Sequence, residues 1–171
     1  MDAVSYLRED MGWAHELLEL VMQDATQVQL DWAPPGKANP LGATYAHALT
    51  IEDEIVHRWL QGAEPLFESA WKDRTGISEP KFGSDFEWAR RVRVELSAAR
   101  EYAQAVYAAT DHYLSSLEPG ALDRVLDLSK RGFGQKTVAW VLSALVISHM
   151  NNMIGESAVL KGIQGAKGYP W

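Results

Sequence analysis

The stretch Val146-Ile147-Ser148-His149-Met150-Asn151-Asn152-Met153-Ile154-Gly155 decides how this chain is read, because it sets one histidine inside a long and otherwise apolar helical run. No proline occurs from Thr137 to Ile163. Across that span apolar residues recur at Val138, Leu142 and Leu145, and again at Val141, Leu145 and Met153, which is helical spacing rather than strand alternation. His149 and Met153 stand four positions apart and so share one helix face. A histidine followed one turn later by a second ligand builds half of a metal site from a single helix. Here the second position is a methionine.

Three more helices are expected upstream. The first runs from about Ala3 to Leu30, with Leu7, Met11, Ala14, Leu18 and Val21 as its apolar stripe, and stops at Pro34-Pro35-Gly36. The second starts at Asn39-Pro40-Leu41, an N-cap followed by a proline that suits a first turn, and closes at Gln61-Gly62. Residues 63–91 carry prolines and glycines between Phe67, Trp71, Phe82, Phe86 and Trp88. Such an aromatic-rich stretch reads as a long connection with one or two helical turns wrapped over the bundle. The third helix spans about Val94 to Leu117 and ends at Pro119-Gly120. Ala121 to Gln135 reads equally as a helical turn or a hairpin. Four long amphipathic helices without convincing strand alternation give an all-α four-helix bundle, a single domain over residues 1–171.

Composition narrows the chemistry. With 171 residues, the chain can bury a core unaided, and the absence of cysteine excludes disulfides, thiolate metal sites and cysteine nucleophiles. A formal charge of −7 argues against nucleic acid as a partner. No run of consecutive apolar residues reaches the length of a membrane span, and the amino terminus lacks a signal pattern, so a cytoplasmic location with no membrane partner is the default expectation. Seven tryptophans supply core volume or pocket walls, Trp32 being a candidate wall near His47.

His47 lies between Ala46 and Ala48 on the second helix and reads either as a core histidine with a satisfied hydrogen bond or, paired with His149, as a ligand. Glu54 and Glu156 each follow a histidine by seven positions, about 10 Å along a helix, too far for both members of either pair to reach one ion. Glu52, off the His47 face, points to a neighbouring helix or to solvent. His57 beside Arg58 reads as exposed, and His15 beside Glu16 and His112 beside Asp111 as surface or half-buried histidines with carboxylate neighbours. Asn151 and Asn152 must be exposed or hydrogen-bonded. Ser148 does not face His149, Gly132-Phe133-Gly134 lacks the rest of a phosphate loop, and Lys130-Arg131 is too small a patch for nucleic acid.

Two stretches carry a family likeness. Trp32-Ala33-Pro34-Pro35-Gly36-Lys37-Ala38-Asn39-Pro40-Leu41-Gly42 with Tyr45-Ala46-His47-Ala48-Leu49 and Glu52, and His149-Met150-Asn151-Asn152-Met153-Ile154-Gly155-Glu156, resemble the loop, second helix and fourth-helix signature of the DinB-like superfamily. The resemblance implies an up-down-down-up bundle with its long connection between helices two and three, frequent homodimers, and a divalent metal held by three histidines at one bundle end. It also implies relatives acting as thiol-dependent transferases or as hydrolases. His47 and His149 match two of the ligand positions, and Met153 stands where the third histidine is expected.

Two functions follow as expectations. One is a divalent-metal-dependent small-molecule enzyme, with zinc, nickel or iron on His47 and His149, Met153 lining the apolar side, and the ligand in a bundle-end pocket. The other is a metal-free binding or dimeric interaction module, with Met153 as a soft core residue and the two histidines bonded to each other or to water. Imidazole nitrogens more than about 5 Å apart could not share an ion.

Overall fold

One helix that is buried on nearly every side explains how the chain condenses. From Leu41 to Ile51 all residues but His47 are buried, including Gly42, Thr44 and Thr50, so this helix has no solvent face and must be surrounded. The computed structural model describes residues 2–118 and 120–171. It contains helices α1 (Ala3–Met22), α2 (Gln27–Asp31), α3 (Leu41–Glu54), α4 (Phe86–Arg91) and α5 (Leu96–Ser115). The hairpin β1 (Val125–Leu128) and β2 (Gly134–Thr137), α6 (Val138–Trp140) and α7 (Ser148–Ile163) follow. A π-helical turn, Ile55–Gln61, prolongs α3, and another, Val141–Ile147, joins α6 to α7. α1 and α3 each pack against both α5 and α7, so these four long helices enclose the core and the chain is essentially all-α.

The first expected helix is two. It breaks after Met22, and α2 restarts at Thr26, whose side chain accepts from Gln29 N while the Gln29 side chain accepts from Thr26 N. That reciprocal capping box is a start signal in the middle of what periodicity alone reads as one helix. Asn39 is not a cap either: α3 begins at Leu41 behind Pro40, with no side-chain cap bond. Gly62 ends the α3 extension at φ 70°, as expected of a residue in the left-handed region.

The long connection is ordered by its backbone. Leu66–Glu68 is a 3₁₀ turn, Asp85 caps α4, and residues 76–78 lie antiparallel to 93–95 through an isolated bridge between Ile77 and Val94. Gly76, at φ 71°, lies so close to the start of α5 that a Cβ there would sit 2.6 Å from Ala99 N. Arg90 Nη2 donates to the carbonyls of Pro34, Gly36 and Ala38 and pins the proline loop.

Residues 121–137 contain both alternatives: 3₁₀ turns at Ala121–Asp123 and Ser129–Arg131, and a hairpin paired Val125 with Thr137 through Leu128 with Gly134. Strands of four residues are too short for alternation to announce them. α5 stops at Ser115, and the expected stop at Pro119 falls outside the described residues. The span Val138–Ile163 is a further correction. At 26 residues with a mean hydropathy of 1.3 in its richest window it is long and apolar enough to cross a membrane, although Ser143, Ser148 and Asn151 interrupt its apolar runs. In the fold it is a core helix, with Val141, Leu142, Met150, Ile154 and Leu160 buried against α1 and α3.

Candidate functional site: an imidazole pair beside buried carboxylates

α3 and α7 touch along their length, and this contact brings residues 47 and 149 together. His47 Nε2 and His149 Nε2 stand 3.2 Å apart, with the two rings nearly perpendicular at 82°. One imidazole donates from Nε2 to the lone pair of the other. His47 Nδ1 is buried without a partner, which favours the tautomer whose proton sits on His47 Nε2 and is shared with His149. Burial lowers the His47 pKa to about 4, with the charge of His149 adding a smaller push. Burial also lowers that of His149, against the opposing charge of Glu52. The Trp88 ring stands edge-on to His47 at 6.5 Å between centroids. Met153 is 8 % exposed and belongs to the core cluster that also holds Met150, Ala46 and Trp88. Asn151 and Asn152 face solvent, which removes the cost of placing amides in an apolar helix.

Below the pair lies a polar core that sequence reasoning missed. Glu52, Asp53 and Glu54 are consecutive and all buried, Glu52 at 1 % and Asp53 at 0 % exposure. Each has its own donors. Glu52 accepts from His15 Nε2 at 2.9 and 3.0 Å and from the Thr110 hydroxyl at 2.6 Å, while His15 stacks on Tyr107 at 3.9 Å. Asp53 accepts from Leu66 N, Phe67 N and the Tyr102 hydroxyl, and His57 Nδ1 donates to it at 2.8 Å. Glu54 accepts from Arg58 and from the Trp59 indole.

His57 is therefore half-buried and paired, not exposed. The Asp53 hydrogen bond raises its pKa against the opposing effect of burial. His15 is buried, and its partner is Glu52 rather than Glu16. His112 is exposed as expected. Nothing in the sequence signalled the inward placement of the acidic run, because three acidic residues in a row ordinarily mark a solvated face.

A metal would have to use this donor set. Two nitrogens about 2.0–2.1 Å from one ion at a roughly tetrahedral angle stand about 3.3 Å apart, so the 3.2 Å spacing of the pair is compatible with a shared ion. The third position fails for a divalent metal. Among the described residues no group of three or more histidine, cysteine, aspartate or glutamate side chains could hold an ion. Glu52 and Glu54 are committed to other donors, and Glu156 is largely exposed. A thioether in place of the third imidazole adds little for zinc, nickel or iron. The residues do not fit a resident divalent ion.

A wide surface cleft of about 1220 Å³ lies elsewhere, lined by Phe67, Ile77, Phe82 and Arg93 among others, and it includes neither histidine nor Met153.

Comparison with known proteins agrees with this architecture. The family model of the DinB superfamily matches residues 11–152, most of the chain and both histidines of the pair. The chain belongs to the DinB superfamily. The match stops one residue short of Met153. A crystal structure described as that of the conserved protein of locus from Enterococcus faecalis is similar to it at TM-score 0.75 and 20 % identity, over 95 % of this chain and 99 % of that one, a likeness of fold. None of the curated proteins matches the chain.

Proposed function

We propose that this DinB-superfamily chain, with its long helices in the superfamily's up-down-down-up order, serves as a binding module rather than as a divalent-metal-dependent transferase or hydrolase. The observation that supports this reading is the commitment of its donors. His47 and His149 bond to each other, Met153 occupies the third place, and the buried carboxylates nearby are taken by His15, Thr110, Tyr102, Arg58 and backbone amides. Lewis-acid chemistry needs an ion held firmly with one position open. Two imidazoles alone hold a divalent ion weakly, so little of the protein would carry it at ordinary metal concentrations.

The 3.2 Å spacing favours a second reading, in which zinc, nickel or iron bridges the two imidazoles and solvent completes the shell. Elemental analysis of protein made without an affinity tag, followed by calorimetric titration with Zn(II) and Ni(II), separates the two. The expected result is no stoichiometric divalent metal and only weak titration. Met153→His, which restores a third nitrogen, is expected to tighten Zn(II) binding by roughly 100-fold. Near-stoichiometric zinc, nickel or iron in the unaltered chain would overturn the proposal.

A further inference from the structure

The surface cleft away from the imidazole pair has a definite chemistry. Its lining comes from three segments: α2, residues 64–82 of the long connection, and residues 93–95 ahead of α5. Phe67, Ile77 and Val94 line it as buried residues, whereas Phe82 is 42 % exposed. An apolar base beside a half-exposed aromatic ring suits an anchoring side chain, the kind of contact that carries much of the energy of recognition. At about 1220 Å³ the cleft exceeds the roughly 300–1,000 Å³ of most small-molecule sites and has room for several side chains of a docked segment.

The main chain at the Ile77–Val94 bridge is closed to strand addition. Gln27 spans the Val94 carbonyl and the Leu96 amide, and the Thr75 hydroxyl accepts from Ile77 N. A docked segment is therefore read by its side chains rather than by backbone pairing.

The charges in the lining set the sign of the partner. Five carboxylates, those of Asp31, Glu64, Glu68, Asp73 and Glu95, stand against Lys72, Lys81 and Arg93. Most of the cations are committed: Lys81 pairs with Asp85, and Arg93 turns back onto the carbonyls of residues 90–92. Glu68 is paired with Arg58, and Glu95 caps α5. That leaves the carboxylates of Asp31, Glu64 and Asp73 against the ammonium of Lys72, with all three acids open to solvent. Such a rim attracts a cationic partner and repels an anionic one, including a second copy of this chain at −7.

We propose that this cleft docks a basic peptide segment of a partner protein, with an apolar side chain seated on Phe67, Ile77 and Phe82 and flanking lysine or arginine side chains against Glu64 and Asp73. The inference gives the binding-module reading a partner and a surface, and rests on it for the role that binding serves.

The test uses the full chain and a fluorescein-labelled heptapeptide of alternating arginine and leucine, read by fluorescence anisotropy, with the matching glutamate and leucine peptide and spermine as competitors. One basic peptide per chain is expected, with a Kd of about 10 μM at low salt that weakens about fivefold in about 0.5 M sodium chloride. Glu64→Gln combined with Asp73→Asn removes two charges and keeps both shapes, since asparagine tolerates the φ of 61° at position 73. This pair is expected to lose about tenfold in affinity. Phe82→Ala, at an exposed position, is expected to lose about tenfold as well. Glu9→Gln combined with Glu16→Gln makes the same change in net charge on exposed residues of α1 outside the cleft, and should alter affinity by less than about twofold. No binding of the basic peptide, unchanged affinity in the cleft variants, an equal loss in the α1 variant, equal competition by the acidic peptide or by spermine, or self-association of the chain that Phe82→Ala abolishes would sink the basic-peptide site and leave the binding-module reading to the metal titration above. Peptide binding together with near-stoichiometric zinc in the unaltered chain would sink that reading and leave the docking site.

Discussion

The two halves of the polar interior use the same side chain in opposite ways. At the α3–α7 contact His47 and His149 face each other, nitrogen to nitrogen, and burial pushes both toward the neutral form. A few turns away His15 and His57 face carboxylates, Glu52 and Asp53, and the His57 pKa is raised by its bond to Asp53. Burial alone therefore does not fix what a histidine does in this fold. The partner across the helix interface does, and the pair that bonds to no carboxylate is the one burial holds neutral.

The comparison breaks most visibly at Asp53. Its carboxylate serves four donors from α3, the connection and α5, so Asp53→Ala strands the Leu66 and Phe67 amides and the Tyr102 hydroxyl in the interior. A loss of about 3–5 kcal/mol is expected in denaturant unfolding. A loss below about 1 kcal/mol would show that the network does not organise the connection.

pH divides the two regions by sign. The His47 pKa is about 4 in the fold against 6.5 for the free side chain, so between these values the unfolded chain binds a proton that the folded chain refuses. Stability is full above pH 6.5 and falls by about 3 kcal/mol as pH drops to 4. For His57, raised in the fold, the direction reverses: its contribution is full below its unfolded pKa and is lost as pH rises through the folded one. Unfolding curves across pH for His47→Gln should lose the larger part of the acid limb and keep the alkaline one. His57→Gln should do the converse. Curves parallel to the parent in both variants would remove the distinction.

How much of this was legible depended on sequence distance. Helix α3 could be read from Pro40 and Gly62, and the α6–α7 span from its unbroken apolar period. The break before α2 was written locally as Thr26 and Gln29, and a stripe of apolar residues running through it masked the cap. The Asp53–His57 pair is also local, one turn apart, and the adjacent Arg58 suggested an exposure that the structure does not have. The His15–Glu52 bond spans 37 residues and the His47–His149 bond 102, so no spacing rule reaches either. Family likeness located the second bond because it compares positions. It could not locate the first, because the acidic run that carries Glu52 looks in sequence like any solvated face.

Double-mutant cycles sharpen the contrast at the smallest scale. His15→Phe keeps a ring to stack on Tyr107, and Glu52→Gln keeps an acceptor for Thr110, so the cycle isolates the bond between the two residues. A coupling of about 1.5–3 kcal/mol is expected for a bond to a carboxylate. The matching cycle of His47→Phe and His149→Phe should couple by only about 0.5–1 kcal/mol, since a neutral imidazole bond is weaker and leaves His47 Nδ1 unpaired in either case. The small value is the informative one. A coupling at His47–His149 as strong as that at His15–Glu52 would mark the imidazole pair as a structural tie of the same rank.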